Sequence, residues 1–209
     1  MIIRNRTRYD NKIGAIYIDQ PLERHLLFSE LVLPDISRFS IIISENNKHT
    51  INKLNSLNNN NYRIAILKYS DNVLSTLSYI LNESDALIAV PDPVIFNLRT
   101  TRSILLSTYR KRVPLIGFSE SYAKAGAFAA LYSTPELIGK QTGEVISLFI
   151  KRASSKSDPF FLPQLHAKYF SITINKNVAR SLGIPILDAK TLEKDLLEIE
   201  KNPSKLNKK

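Results

Sequence analysis

The chain has 209 residues, a formal charge of +10 and no cysteine. That length holds one large domain or two small ones. The missing cysteine excludes disulfides, thiol catalysis and cysteine metal sites, and the charge favours anionic partners without dictating a fold. Residues 1–11 are polar and basic and read as a disordered arm. The charge at Met1–Arg6 is followed by no apolar core, so no signal peptide is expected. No run reaches the roughly 18 apolar residues of a membrane span. Lys12–Asp19 reads as a strand. Pro21 suits a helix start, and Leu22, Leu26 and Leu33 share a face that Leu27 and Leu31 widen. Phe39–Ser44 is a continuous apolar run, the mark of a strand covered on both faces. His49–Leu57 reads as a short helix, 58–61 as a polar loop and Tyr62–Leu67 as a strand. Val73, Leu77, Ile80 and Leu81 follow at helical spacing, with Ser70 or Asp71 as the cap. Asp85–Val90 is a strand stopped by Pro91-Asp92-Pro93, and Thr101–Arg112 is a helix.

The stretch Val113–Ala127 organises the rest. Val113–Phe118 reads as a buried strand, and Ser119 opens a helical turn. A loop at the carboxyl end of a strand is where open α/β sheets bind ligands. Gly126–Ser133 is a further strand. Thr134-Pro135-Glu136 starts a helix with a hydroxyl cap, a proline and an early acid. Residues 153–158 are a loop. Lys168–Ile174 alternates as a strand, Asn175 caps a short helix ended by Gly183, and Asp188 caps a last helix before a Lys-rich tail. Alternating strands and helices predict an α/β fold with parallel pairing and right-handed crossovers. The turns after Asp19, Ser44, Val90 and Phe118 are then expected on one rim.

Four blocks carry a resemblance. They are Pro114–Ser119, Ala125–Leu131, Glu136–Gly143, and Tyr169–Asn175 followed by Ala179–Gly183. In order and spacing they resemble the substrate-binding proteins of ABC transporters, of the type-I periplasmic binding fold, in the branch with tryptophan- and phenylalanine-binding members. The resemblance runs from about Ile13 to Ile186. It implies three-layer Rossmann-like lobes built on parallel sheets, with the first lobe incomplete and the chain truncated at its amino terminus. Residues 12–33 and 126–152 would be the remnant of the first lobe and its crossings. Residues 34–125 and 160–200 would be the second lobe with a carboxyl-terminal extension, and 201–209 a basic tail.

The same resemblance implies a non-enzymatic solute-binding component of an ABC import system. It would capture a small polar, amino-acid-like molecule in a cleft between lobes and present it to a membrane permease, with no cofactor. The location implied is the periplasm; without a signal peptide, the cytoplasm is the alternative. A competing reading is a ligand-sensing or interaction module, or a remnant, derived from such a protein. Ser119, Glu120, Ser121 and Tyr122 would face the ligand; the bland reading of Ser119 and Glu120 is a helix cap. Asp92 would bind an amine or serve as a turn aspartate. Asp19 and Gln20 would be hinge or cleft residues. Tyr17 and Tyr132 would stack on a ring or fill the core. Gly117-Phe118-Ser119-Glu120-Ser121 is one residue from the nucleophile-elbow pattern, with Ser121 in place of the last glycine; downstream only His166 follows, with Asp158 just before it in a loop, and no oxyanion motif appears. His25, His49 and His166 have no metal-ligand spacing. No recognition motif accompanies the basic residues, so nucleic acid is not an expected partner. Residues 126–152 are expected to leave apolar surface for self-association.

Overall fold

The computed structural model of the chain describes residues 14–57, 62–153 and 164–202. The basic arm, the loop at 58–61, the loop after Ala153 and the tail beyond 202 fall outside the described residues. In chain order the elements are β1 (Ala15–Tyr17), α1 (Leu22–Val32), β2 (Phe39–Ser44), α2 (Lys48–Ser56), β3 (Tyr62–Leu67) and α3 (Val73–Leu81). They continue with β4 (Ala86–Ile88), α4 (Thr101–Arg110), β5 (Leu115–Gly117), α5 (Glu120–Ala125) and β6 (Ala129–Tyr132). The last are α6 (Pro135–Ala153), β7 (Gln164–His166), β8 (Ser171–Ile174), α7 (Lys176–Leu182) and α8 (Ala189–Lys201). The chain divides into two compact units. The smaller comprises 1–21 and 133–170, the larger 22–132 and 171–209.

The larger unit is a six-stranded sheet in the order β3-β2-β4-β5-β6-β8. Its first five strands are parallel, and β8 runs antiparallel to β6. Every residue of β2, β4 and β5 is buried, which is why these strands read as unbroken apolar runs. From β2 the chain steps outward to β3, then returns past β2 to β4. With right-handed crossovers this places α2 on one face and α3 and α4 on the other. An ion pair of 2.8 Å between Lys53 and Glu23 ties α2 to α1, and α1 packs on α8. On the opposite face Leu77 and Leu81 of α3 and Ile104 and Leu105 of α4 join Ile42, Leu87 and Leu115 of the sheet in one buried cluster. Each such side chain taken from water contributes about 1.5–3 kcal/mol.

Boundaries differ from expectation where long-range pairing decides them. Residues 22–33 and 126–132, read with a first-lobe remnant, belong to the larger unit, because α1 packs on α8 and β6 lies between β5 and β8. Residues 164–170, read with the second lobe, fall in the smaller unit. Gly126 is not in a strand; at φ 126° it closes α5. The cap of α3 is Asn72, not Ser70 or Asp71: its Oδ1 accepts from the Leu74 and Ser75 amides. The expected uncovered surface over 126–152 is corrected in part. Ala127–Leu131 are at most 1% exposed, covered by β5 and β8, whereas Ile146, Leu148 and Ile150 of α6 are exposed.

In the smaller unit β1 and β7 pair in parallel, Ala15 with Gln164 through Tyr17 with His166. The sequence reading had no strand at β7. Gln141 of α6 is buried; its Nε2 donates to the His166 carbonyl (3.0 Å) and its Oε1 accepts from the Lys168 amide (2.8 Å), fastening the helix to the segment after β7.

Candidate functional site

The carboxyl ends of β2, β4 and β5 lie side by side in the larger unit, so three of the four expected turns share a rim. The strand order reverses between β2 and β4, which makes their ends the switch point of the sheet. The turn after Asp19 belongs to the smaller unit.

Side chains brace this rim. Asp92 is 1% exposed. Its Oδ2 accepts from the Ser44 amide (2.9 Å) and hydroxyl (2.8 Å), and its Oδ1 from the Val94 amide (3.0 Å). A buried carboxylate with three donors is satisfied, and this one joins the end of β2 to the turn after β4. Across the other edge of β2, Glu45 donates its amide to the Leu67 carbonyl and accepts the Tyr69 amide on Oε1. Beneath the end of β4, buried His25 of α1 donates Nε2–H to the Ala89 carbonyl at 3.1 Å, and its Nδ1 has no partner among the described residues. Burial pushes this imidazole down to about 4, against a smaller upward pull from the bond to Ala89.

At the end of β5 the pattern changes from bracing to open chemistry. Ser119 is the N-cap residue of α5, extended at φ −151° and ψ 157°, yet its hydroxyl makes no cap hydrogen bond. The bland cap reading of Ser119 therefore does not describe its side chain. Glu120 pairs with Lys124 at 2.8 Å, and Ser121 is exposed. Tyr122 is half-buried against Phe118, ring centroids 4.7 Å apart, and Phe96 stands edge-on to both. The Tyr122 hydroxyl bonds Thr101 Oγ1 at 3.1 Å, and burial raises the phenol above its ordinary value despite that bond. Gly117 permits this packing. A Cβ there would stand 2.6 Å from Tyr122 Cβ, too close for any other residue.

Phe96 and Thr101 escaped the sequence reading. Their one signal is that 91–100 is a long connection that opens on two prolines and holds a single aromatic. Tyr132 bonds Thr173 Oγ1 across the β6–β8 pair. In the smaller unit, Gln20 Nε2 donates to Ser133 Oγ (2.6 Å), which donates to the Tyr169 carbonyl (2.6 Å). Asp19 precedes Gln20, half-buried. Tyr17 donates to Gln164 Oε1 and its ring lies 5.3 Å from that of His166. Among the described residues no cluster of His, Asp or Glu has the geometry of a metal site, and no helix is long and apolar enough to cross a membrane.

Comparison with known proteins agrees with this architecture. No curated protein matches the chain. A conserved domain protein of Vibrio cholerae is similar in structure, with a TM-score of 0.64 and 22% identity, covering 86% of this chain and 61% of that one. An ABC domain of Streptococcus pneumoniae in complex with L-Trp superposes with a TM-score of 0.61 at 15% identity, covering 86% and 60%. A ligand-free, open substrate-binding protein with adhesive properties from Clostridium difficile gives 0.65 at 14%, covering 84% and 59%. The chain spans about 60% of the length of these structures. At such identities they share the fold, a mixed α/β architecture on a mostly parallel sheet. The family model for ABC transporter substrate binding proteins matches residues 13–194, and the chain belongs to that family.

Proposed function

We propose that the chain binds a small polar solute of the amino-acid class on the carboxyl rim of the larger unit, as part of an ABC import system that acts outside the cytoplasmic membrane. The observation that carries this reading is the Ser119 hydroxyl, which makes no cap hydrogen bond, beside the half-buried Phe118–Tyr122 pair. Ser119 and Ser121 supply hydroxyls to polar ligand groups. Glu120 attracts an amine. Tyr122 covers an apolar portion and stays protonated, so it also donates. Asp92 contacts no ligand in this proposal and holds the rim in register. Gln20, with Asp19 beside it, holds Ser133 in place within the smaller unit.

The structural relative that holds L-Trp makes amino acids the first compounds to try. A ligand shifts a binding protein toward one state only by its preference for that state. Calorimetry and thermal shift with a panel of amino acids test the reading. We expect saturable stabilisation by at least one, lost at least tenfold in affinity in Ser119→Ala and Tyr122→Ala. Saturable binding that both variants retain would refute the placement; a folded protein stabilised by no small polar solute would refute the function.

A further inference from the structure

We propose that the opposite, amino-end face of the larger unit's sheet is a docking surface for the phosphodiester headgroups of an anionic membrane. Among the helices that end there are α3 at Leu81, α4 at Arg110 and α7 at Leu182. The turn after α4 connects them. Lys111 Nζ donates to the Ser78 carbonyl and to Asn82 Oδ1 after α3, and Arg112 Nη2 donates to the Leu182 carbonyl at 3.3 Å. Tyr109 bonds Ser181 across the same junction at 2.6 Å. Arg110, Lys111, Arg112 and Arg180 are all exposed, and none is in a salt bridge among the described residues. The nearby acids are committed, Asp85 to Arg38 and Glu83 to Arg63.

Cations at helix carboxyl ends complement the dipole, and that accounts for Arg110 and Arg180. It does not account for Arg112. This residue has φ 57°, while its amide bonds the Tyr109 carbonyl and the Val113 amide bonds that of Thr108. That is a Schellman turn, whose left-handed position favours glycine. A side chain held there against local preference points to work done by the side chain. One carbonyl occupies one of its five donors. The remainder of the fork matches phosphate oxygens. Exposed Leu106 and Tyr109 on the last turns of α4 add an apolar and an amphipathic side chain beside these cations.

The test is co-sedimentation of the full chain with vesicles of phosphatidylglycerol and phosphatidylcholine, against phosphatidylcholine alone. Binding is expected only to the anionic vesicles, weakening as salt rises. At about fivefold per cation, Arg110→Gln with Arg112→Gln and Arg180→Gln should lower partitioning about 100-fold. The same charge change on α8, Lys190→Gln with Lys194→Gln and Lys201→Gln, should lower it far less. Arg112→Gly should raise the melting temperature yet weaken binding about fivefold, which a purely structural arginine would not do. Equal losses from the two triple variants, unchanged binding in Arg112→Gly, or binding to glycerophosphate or duplex DNA in place of vesicles would overturn the proposal.

Discussion

His25 gives the sharpest quantitative expectation. The imidazole is 3% exposed, its Nε2 is occupied by the Ala89 carbonyl, and a proton added at Nδ1 would meet no acceptor among the described residues. Unfolding releases the ring to water, where it titrates near 6.5, against about 4 in the folded chain. The folded value is the lower one, so the unfolded state takes up the proton first as pH falls. The neutral ring's contribution is therefore complete above pH 6.5 and is lost between 6.5 and 4. Its full size is the gap times about 1.4 kcal/mol per pH unit, about 3 kcal/mol. At pH 5, where the unfolded ring is almost fully charged and the folded ring neutral, the loss is already about 2 kcal/mol. The assay is urea unfolding followed by circular dichroism, since the chain lacks tryptophan. His25→Gln keeps a donor for Ala89 but does not titrate. Between pH 7.5 and 5 the parent should lose about 2 kcal/mol more than this variant. Parallel stability curves, within about 0.5 kcal/mol, would refute the argument, because then the ring is charged or solvated in the fold.

Gly117→Ala should displace Tyr122 and the start of α5, costing about 1–3 kcal/mol by overpacking and weakening solute binding; unchanged chemical denaturation would contradict it. Asp92→Ala leaves the Ser44 amide and hydroxyl and the Val94 amide without their acceptor, and should cost about 2–4 kcal/mol in the same measurement. Gln141→Leu strands the His166 carbonyl and the Lys168 amide, and should speed amide exchange at Lys168 while leaving α4 and β5 protected. Tyr122→Phe removes one exchangeable bond to Thr101 and is expected to change stability by no more than about 1 kcal/mol.

Local chemistry was legible in the sequence, and distant pairing was not. Phe39–Ser44 and Tyr62–Leu67 are strands with the expected ends, since apolar runs between polar loops have few alternatives. Asn175, Gly183 and Asp188 act as caps because their preferences are intrinsic to the backbone. Asp92 read equally as a turn or a ligand contact; its donor Ser44 is 48 positions away, so nothing local announced the brace. The strand at Gln164–His166 was missed because three residues pairing with Ala15–Tyr17 carry no periodic signal of their own. At the rim, Ser119 and Tyr122 were visible from their place after a buried strand. Phe96 and Thr101 reach Tyr122 through a loop whose path no pattern specifies.

The partnership of β6 and β8 has a consequence for how the chain can be cut. Tyr132, the last residue of one, stands opposite Ser171, the first of the other, running in reverse. Segment 133–170 is thus an excursion that leaves and rejoins the sheet at a single rung. A two-residue Asn-Gly link spans such neighbours. Replacing the excursion with that link would turn a discontinuous body into an uninterrupted one, its outermost ladder closed by a hairpin rather than by a long detour.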